Sequence, residues 1–174
     1  MTVPFHQTIL PVFARCLAVA DVQVAKARDF AKAKKLDDAA VLGLRLYPDM
    51  LPLSRQWQLV SDFCKNGAAR LGGVEPPKFE DVEKTFDEIV ARFARTRDFV
   101  ATVAPATIDA RAATEIVVPR GQEKFKMSAS TYACHMLLPN LYFHLTTAHD
   151  VLRHVGVEIG KRDFVGPFEG ATPA

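Results

Sequence analysis

The chain has no CxxC pair and only three cysteines, Cys16, Cys64 and Cys134. An odd, widely spaced set argues against a disulfide scaffold and fits reduced thiols. An excess of one charge is missing too: 22 basic and 20 acidic residues, interspersed, leave a formal charge of +2. Without a strong field to hold a phosphate backbone, nucleic acid is not an expected partner. No run approaches the about 20 apolar residues needed to cross a bilayer, so no membrane partner is expected either. The first 20 residues carry no basic cluster, and Pro11 and Arg15 interrupt their apolar stretch, which argues against a secretory signal. A cytoplasmic location is the resulting expectation. There is no internal repeat, no low-complexity tract and no complete catalytic motif.

What remains is an ordinary globular composition. Apolar residues make up 49% and charged residues 24%, values that give no indication of disorder and leave enough apolar surface for a substantial core. A chain of 174 residues is within the size of one domain, and a single domain over residues 1–174 is expected.

Apolar positions recur at steps of three and four in four segments, the pattern of one buried helical face. The first runs Ile9, Phe13, Cys16, Ala20, Val24, Ala27, Ala31. The second runs Leu53, Trp57, Val60, Cys64, Gly67, Leu71 and is stopped by Gly72-Gly73 and Pro76-Pro77. The third runs Val82, Phe86, Ile89, Phe93, Thr96, Val100, Val103, with Glu80, Asp81 and Glu83 in its first turn, where the helix dipole favours them, and Pro105 closes it. The fourth runs Cys134, Leu138, Leu141, Leu145, Ala148, Leu152, Val155 and ends at Gly156. Four long single-stripe helices bury their stripes most simply against one another, which predicts an all-α fold, an antiparallel up-down four-helix bundle. All three cysteines fall on stripe positions and read as small core side chains.

Two connections are longer than a bundle needs. Asp38 to Leu44 suits a short extra helix. Glu115 to Val118 and Glu123 to Met127, around the turn Pro119 to Gln122, suit a small β-hairpin between the third and fourth helices. Pro11 and Pro139 lie inside periodic stretches and should kink or open their helices, the second releasing carbonyls near Cys134 and His135.

Of the five histidines, few can face one point. At about 100° per residue, His144 and His149 lie on opposite flanks of the fourth stripe, about 140° apart. His154 points away from the stripe, near the helix end, and His6 lies in or before the first turn of helix one. Asn140 and His144, four residues apart, share a flank, and Gln56 holds the matching position in the second helix. These three side chains are the candidate ligand-binding set, with Trp57, Tyr142 and Phe143 nearby. The plainer alternative is a core-edge His144 satisfied by Gln56, Asn140 or a threonine hydroxyl.

Several motifs carry a resemblance: Tyr47-Pro48-Asp49-Met50-x-Pro52-Leu53-x-x-Gln56, Phe79-Glu80-Asp81, Pro139-Asn140-Leu141-Tyr142-Phe143-His144-x-Thr146-Thr147, and Gly160-Lys161-Arg162-Asp163-Phe164. With four long helices and a bend in the last, the chain resembles the DinB/YfiT-like superfamily of metalloenzyme-type bundles, and within it a bacterial branch known as a domain of unknown function. The resemblance implies a metal site, zinc or nickel, held by a histidine pair four apart on the last helix and a third histidine on helix two. Here only His144 matches as histidine; Asn140 stands at the first position of the pair and Gln56 at the helix-two position. The expectation is therefore a chain without the full three-histidine site and without a cofactor, binding a small molecule between helices two and four. Two alternatives stay open. One is a metal-dependent hydrolase or thiol transferase in which Asp49, His135 or His149 joins His144. The other is a non-catalytic interaction module, a homodimer as the superfamily implies. The Lys161 to Phe164 tail, with Phe168 beyond it, could fold back over the bundle mouth and bring Lys161 or Asp163 to a pocket, or simply pack.

Overall fold

The computed structural model describes residues 3–167 and Thr172, and in them the chain is mostly helical with one small antiparallel sheet. After a 3-10 turn at Phe5–Thr8, helix α1 spans Leu10–Lys34. Its predicted stripe is buried from Phe13 to Ala31. Pro11 kinks nothing, contrary to expectation: it occupies the first turn, where a missing N–H leaves no bond unmade. The stretch Phe5–Lys34 does reach the length and apolar composition of a membrane span, which the broken apolar run had not suggested. In the fold its Phe13, Leu17, Ala20 and Val24 face other helices.

Helix α2, Asp38–Leu42, forms where the short extra helix was expected, with the Asp37 carboxylate accepting from the Ala40 N–H. Helix α3 runs Leu53–Gly72 and stops at Gly73 in the left-handed region, φ 69°, a conformation glycine adopts without a Cβ penalty. Helix α4 is Phe86–Thr102, one turn shorter at its start than the periodicity suggests. Thr85 and Glu88 form a reciprocal capping box, satisfying the N-terminal donors there, so Val82 lies outside the helix and is exposed. Glu80, Asp81 and Glu83 consequently sit in the preceding segment rather than in the first turn; Asp87 and Glu88 take that place. Pro105 does not close α4 but opens α5, Pro105–Ala110.

The hairpin is present: β1, Glu115–Arg120, pairs antiparallel with β2, Glu123–Ser128, in a register from Glu115↔Ser128 to Arg120↔Glu123. Gly121 has φ 62° in the turn. Ile116 and Val118 face inward while Val117 and Phe125 are exposed, the alternation of a half-buried ribbon.

The last long helical run departs most from expectation. Helix α6, Ala129–Tyr132, passes into a π-helical turn at Ala133–Leu137 and then into α7, Leu138–His154. Pro139 sits in the first turn of α7, so the irregularity predicted at the proline is a π turn just before it, one of the known ways a helix accommodates a lost N–H. The wider turn shifts the helical phase. Leu141, Leu145, Ala148 and Leu152 keep the stripe, but Cys134, inside the π turn, falls off it and is exposed, correcting its assignment to the core. Cys16 and Cys64 are buried, and burial pushes the Cys16 thiol up to about 12 and raises that of Cys64 well above the ordinary thiol value. A thiol-reactive dye should therefore label Cys134 alone in the native protein and all three residues after denaturation, because the thiolate is the reactive form. Labelling of two or three native thiols would contradict this burial.

Among the long helices, α3 packs on α4 and α7, and α1 packs on α3, α4 and α7. Helix α8, Lys161–Val165, packs on α1. Lys26 bonds the Glu158 carbonyl at 2.7 Å and the Asp163 carboxylate at 3.1 Å, and Arg15 bonds the Pro167 carbonyl at 2.8 Å. Asp163 is thus held on α1, Lys161 is exposed, and Phe168 lies outside the described residues.

Candidate functional site

Gln56 stands in the first turns of α3, where the chain has just left the Tyr47–Pro52 segment. Its amide Nε2 donates to the Leu51 carbonyl at 3.0 Å, which orients the amide and leaves Oε1 as acceptor. That oxygen lies 2.8 Å from His144 Nδ1 on α7. An amide oxygen cannot donate, so Nδ1 carries the hydrogen and Nε2 carries the lone pair. Among the described residues Nε2 has no hydrogen-bond partner. The imidazole lies flat beside Phe63, ring centres 5.6 Å apart, and meets the Phe143 ring edge-on at 5.3 Å. Burial, with the Arg55 guanidinium nearby, pushes the His144 pKa down from 6.5 to about 4, so the ring is neutral at pH 7.

Asn140 lies one turn before His144 but does not bond to it. Its Nδ2 donates to the Met136 carbonyl at 2.6 Å, turning the side chain back onto the π turn and satisfying an acceptor there. Gln56 and His144 are thus joined directly, whereas Asn140 takes no part in that bond. Phe63, Arg55 and the Leu51 carbonyl belong to this cluster as well. Phe63 is seven residues from Gln56, two turns along the same helical flank, and that spacing was available to find it.

The other candidates lie elsewhere. His149 packs edge-on against Phe164, centres 5.7 Å apart, with its Nδ1 buried and unpartnered. His135, His154 and Asp49 are exposed. His6 bonds the Asp109 carboxylate at 2.7 Å through Nδ1 and at 2.8 Å through its backbone N–H, tying the N-terminal turn to α5. Tyr142 and Phe143 are exposed, whereas Trp57 is fully buried.

A three-ligand metal centre does not fit this donor set. Among the described residues no three His, Cys, Asp or Glu side chains are grouped to hold an ion. At the α3–α7 seam the Gln56 amide and His144 Nδ1 are already bonded to each other. One imidazole nitrogen and one neutral amide oxygen remain, a poor set for zinc or nickel. What the arrangement can do is accept a hydrogen bond at a neutral, oriented imidazole nitrogen flanked by aromatic rings.

The depressed pKa has a consequence for stability. The folded state binds a proton at His144 only near pH 4, the unfolded chain near 6.5, so between these values the unfolded state holds more protons. The contribution is present above about 6.5 and is lost as pH falls towards 4. Allowing for solvent screening at this partly exposed ring, the loss is about 1–2 kcal/mol. Denaturant titrations at pH 7 and pH 4 should show this loss in the native protein and a smaller one in His144→Phe; equal losses would contradict it.

Comparison with known proteins shows the mostly helical chain to be DinB-like. It is similar to a crystal structure of a DinB family member from Shewanella denitrificans, with 35% identity, a TM-score of 0.89, and coverage of 97% of this chain and 95% of that one. The chain belongs to the family described as a domain of unknown function, DUF1993, whose sequence profile matches residues 5–165. No curated protein matches it.

Proposed function

We propose that this protein is a metal-free, up-down four-helix DinB-like bundle that binds a small molecule at the seam of α3 and α7, with His144 Nε2 as the acceptor that orients it. The observation that carries the reading is the Gln56–His144 bond of 2.8 Å, which fixes the tautomer and leaves a neutral nitrogen lone pair beside Phe63 and Phe143. Pockets of this type combine apolar walls with few placed polar groups, and the Asn140 oxygen one turn away supplies a second acceptor. The ligand chemistry that suits these groups is a planar molecule presenting N–H or O–H donors.

The test is a long-range proton–nitrogen correlation spectrum of the imidazole, followed by a screen of small aromatic donors. The reading expects a protonated Nδ1 and a bare Nε2 at pH 7. It also expects hits that move the His144 resonances and are lost in His144→Ala. A ring titrating near 6.5, or hits indifferent to His144→Ala, would reject it.

A second reading has its own support: Phe143 is 58% exposed and Tyr142 45% exposed, adjacent on α7. Aromatic side chains left in solvent are common at interfaces, which favours a homodimeric interaction module using this face. Light scattering at dilute concentration, with Phe143→Ser as comparison, checks it; a monomer counts against it.

A further inference from the structure

The seam between α1 and α4 holds an open cavity of about 390 Å³, separate from the α3–α7 seam that carries His144. Leu10, Phe13 and Leu17 line it from α1, and Val100 and Ala101 from α4. Phe13 and Leu17 are fully buried core residues and form its floor. The volume falls in the range of small-molecule sites, whose walls are mostly apolar with a few polar groups fixing orientation. One charged side chain lines this cavity, Arg97.

Arg97 reaches from α4 to Asp21, which stands one turn beyond Leu17 on α1, so the ion pair closes one end of the seam. Among the described residues that is the only side-chain hydrogen bond Arg97 makes, through Nη2. A guanidinium presents five N–H donors, so Nε–H, both Nη1 hydrogens and the second Nη2 hydrogen have no protein partner among the described residues, at the half-exposed end of an otherwise apolar cavity. The pairs Nε/Nη2 and Nη1/Nη2 are the forks that match a carboxylate, and whichever Nη2 hydrogen Asp21 takes, the other completes a free one. Asp21 cannot use it: one of its oxygens is taken by Nη2 and the other is buried away from any donor.

We propose that the α1–α4 cavity binds a small monocarboxylate with an apolar tail, of the medium-chain alkanoate class. The carboxylate sits on the free fork of Arg97, and the tail lies along Leu17, Phe13 and Leu10 towards Pro105. The acid is bound unchanged, with no covalent step.

Calorimetric titration of the full chain with hexanoate, octanoate, decanoate and octanol tests the assignment. The dissociation constant should fall about fourfold for each methylene added until the cavity is filled. Arg97→Gln should weaken octanoate at least about tenfold and leave octanol little changed. Ala101→Trp, a substitution at an exposed rim position that should leave the helical circular dichroism intact, should abolish binding of both. His144→Ala should bind octanoate as the native protein does, which separates this site from the α3–α7 reading. Absence of saturable binding at millimolar octanoate, equal affinity for octanol and octanoate, or binding that survives Ala101→Trp would each overturn the proposal.

Discussion

Arg92→Ala should lower folding stability by about 3–5 kcal/mol, the cost of leaving the buried Glu83 carboxylate, with Asp62 and Asp81 beside it, without its cation. Arg92 is fully buried on α4, and its guanidinium is almost completely committed. Nε donates to Ser61 Oγ at 3.1 Å, Nη1 to the Glu80 carbonyl and to Glu83 at 3.0 Å each, and Nη2 to Asp62 at 2.8 Å. Asp81 lies 3.0 Å from Nη2. The Phe79 ring lies beside Arg92 and is also approached by Lys65 and Arg95, at 4.3 and 4.7 Å from the ring centre. The three neighbouring carboxylates outweigh burial and hold the Arg92 pKa above its ordinary value.

Not every carboxylate is stranded equally by the loss. Asp62 keeps Lys65 at 3.3 Å, and Asp81 keeps Arg55. Glu83 is nearly inaccessible, and keeps the Gln58 amide at 2.8 Å with Arg95 at 3.7 Å. The damage should therefore concentrate on Glu83, and a double-mutant cycle with Glu83→Gln should show coupling of at least about 1 kcal/mol. Chemical denaturation measures both quantities. A cost below about 1 kcal/mol for Arg92→Ala would show that this cluster is no tighter than a surface ion pair.

This cluster also marks a limit of reading from the sequence. Arg92 sits next to the stripe residues Ile89, Phe93 and Thr96, where a charged side chain reads as the solvated edge of a helix. Its burial depends on the segment Glu80 to Glu83 folding over it, and helical periodicity had absorbed that segment into the helix. The Thr85-x-x-Glu88 signal that truly begins α4 was present in the sequence, but the apolar Val82 extended the stripe past it. Stripes were legible because burial on one face imposes a period. The π turn was not, because it changes the period locally, and Cys134 went astray with it.

The candidate site divides in the same way. That Gln56 and His144 meet follows from two helices with matched flanks, and simple angular reasoning reaches it. That Gln56 fixes the tautomer depends on the Leu51 carbonyl, a backbone atom in a loop with no periodic signature. Asn140 shares the flank of His144 as the angles require, yet the π turn presents the Met136 carbonyl to it, and its amide is drawn there instead.

Trp57 gives the other large effect. It is fully buried on α3, and its indole Nε1–H donates to Gln23 Oε1 of α1 at 2.9 Å. The Gln23 amide in turn donates to the Leu145 carbonyl of α7 at 3.1 Å. One polar chain thus ties three helices together inside the core, and each member depends on the next for its hydrogen bond. Trp57→Ala should cost about 3–5 kcal/mol, mostly from the cavity it opens. Trp57→Phe separates the two contributions: it keeps most of the ring's volume but leaves the buried Gln23 Oε1 without a donor, a loss of about 1–3 kcal/mol. Adding Gln23→Leu to Trp57→Phe removes that orphaned acceptor and should recover part of the loss. Because Trp57 is the single tryptophan, unfolding of these variants must be followed by circular dichroism rather than indole fluorescence. If Trp57→Phe is as stable as the native protein, the hydrogen bond to Gln23 contributes nothing and packing alone holds the indole. If instead it falls by the full cost of Trp57→Ala, the phenyl ring does not fill the indole's place, and the polar chain is a minor part of what joins α1, α3 and α7.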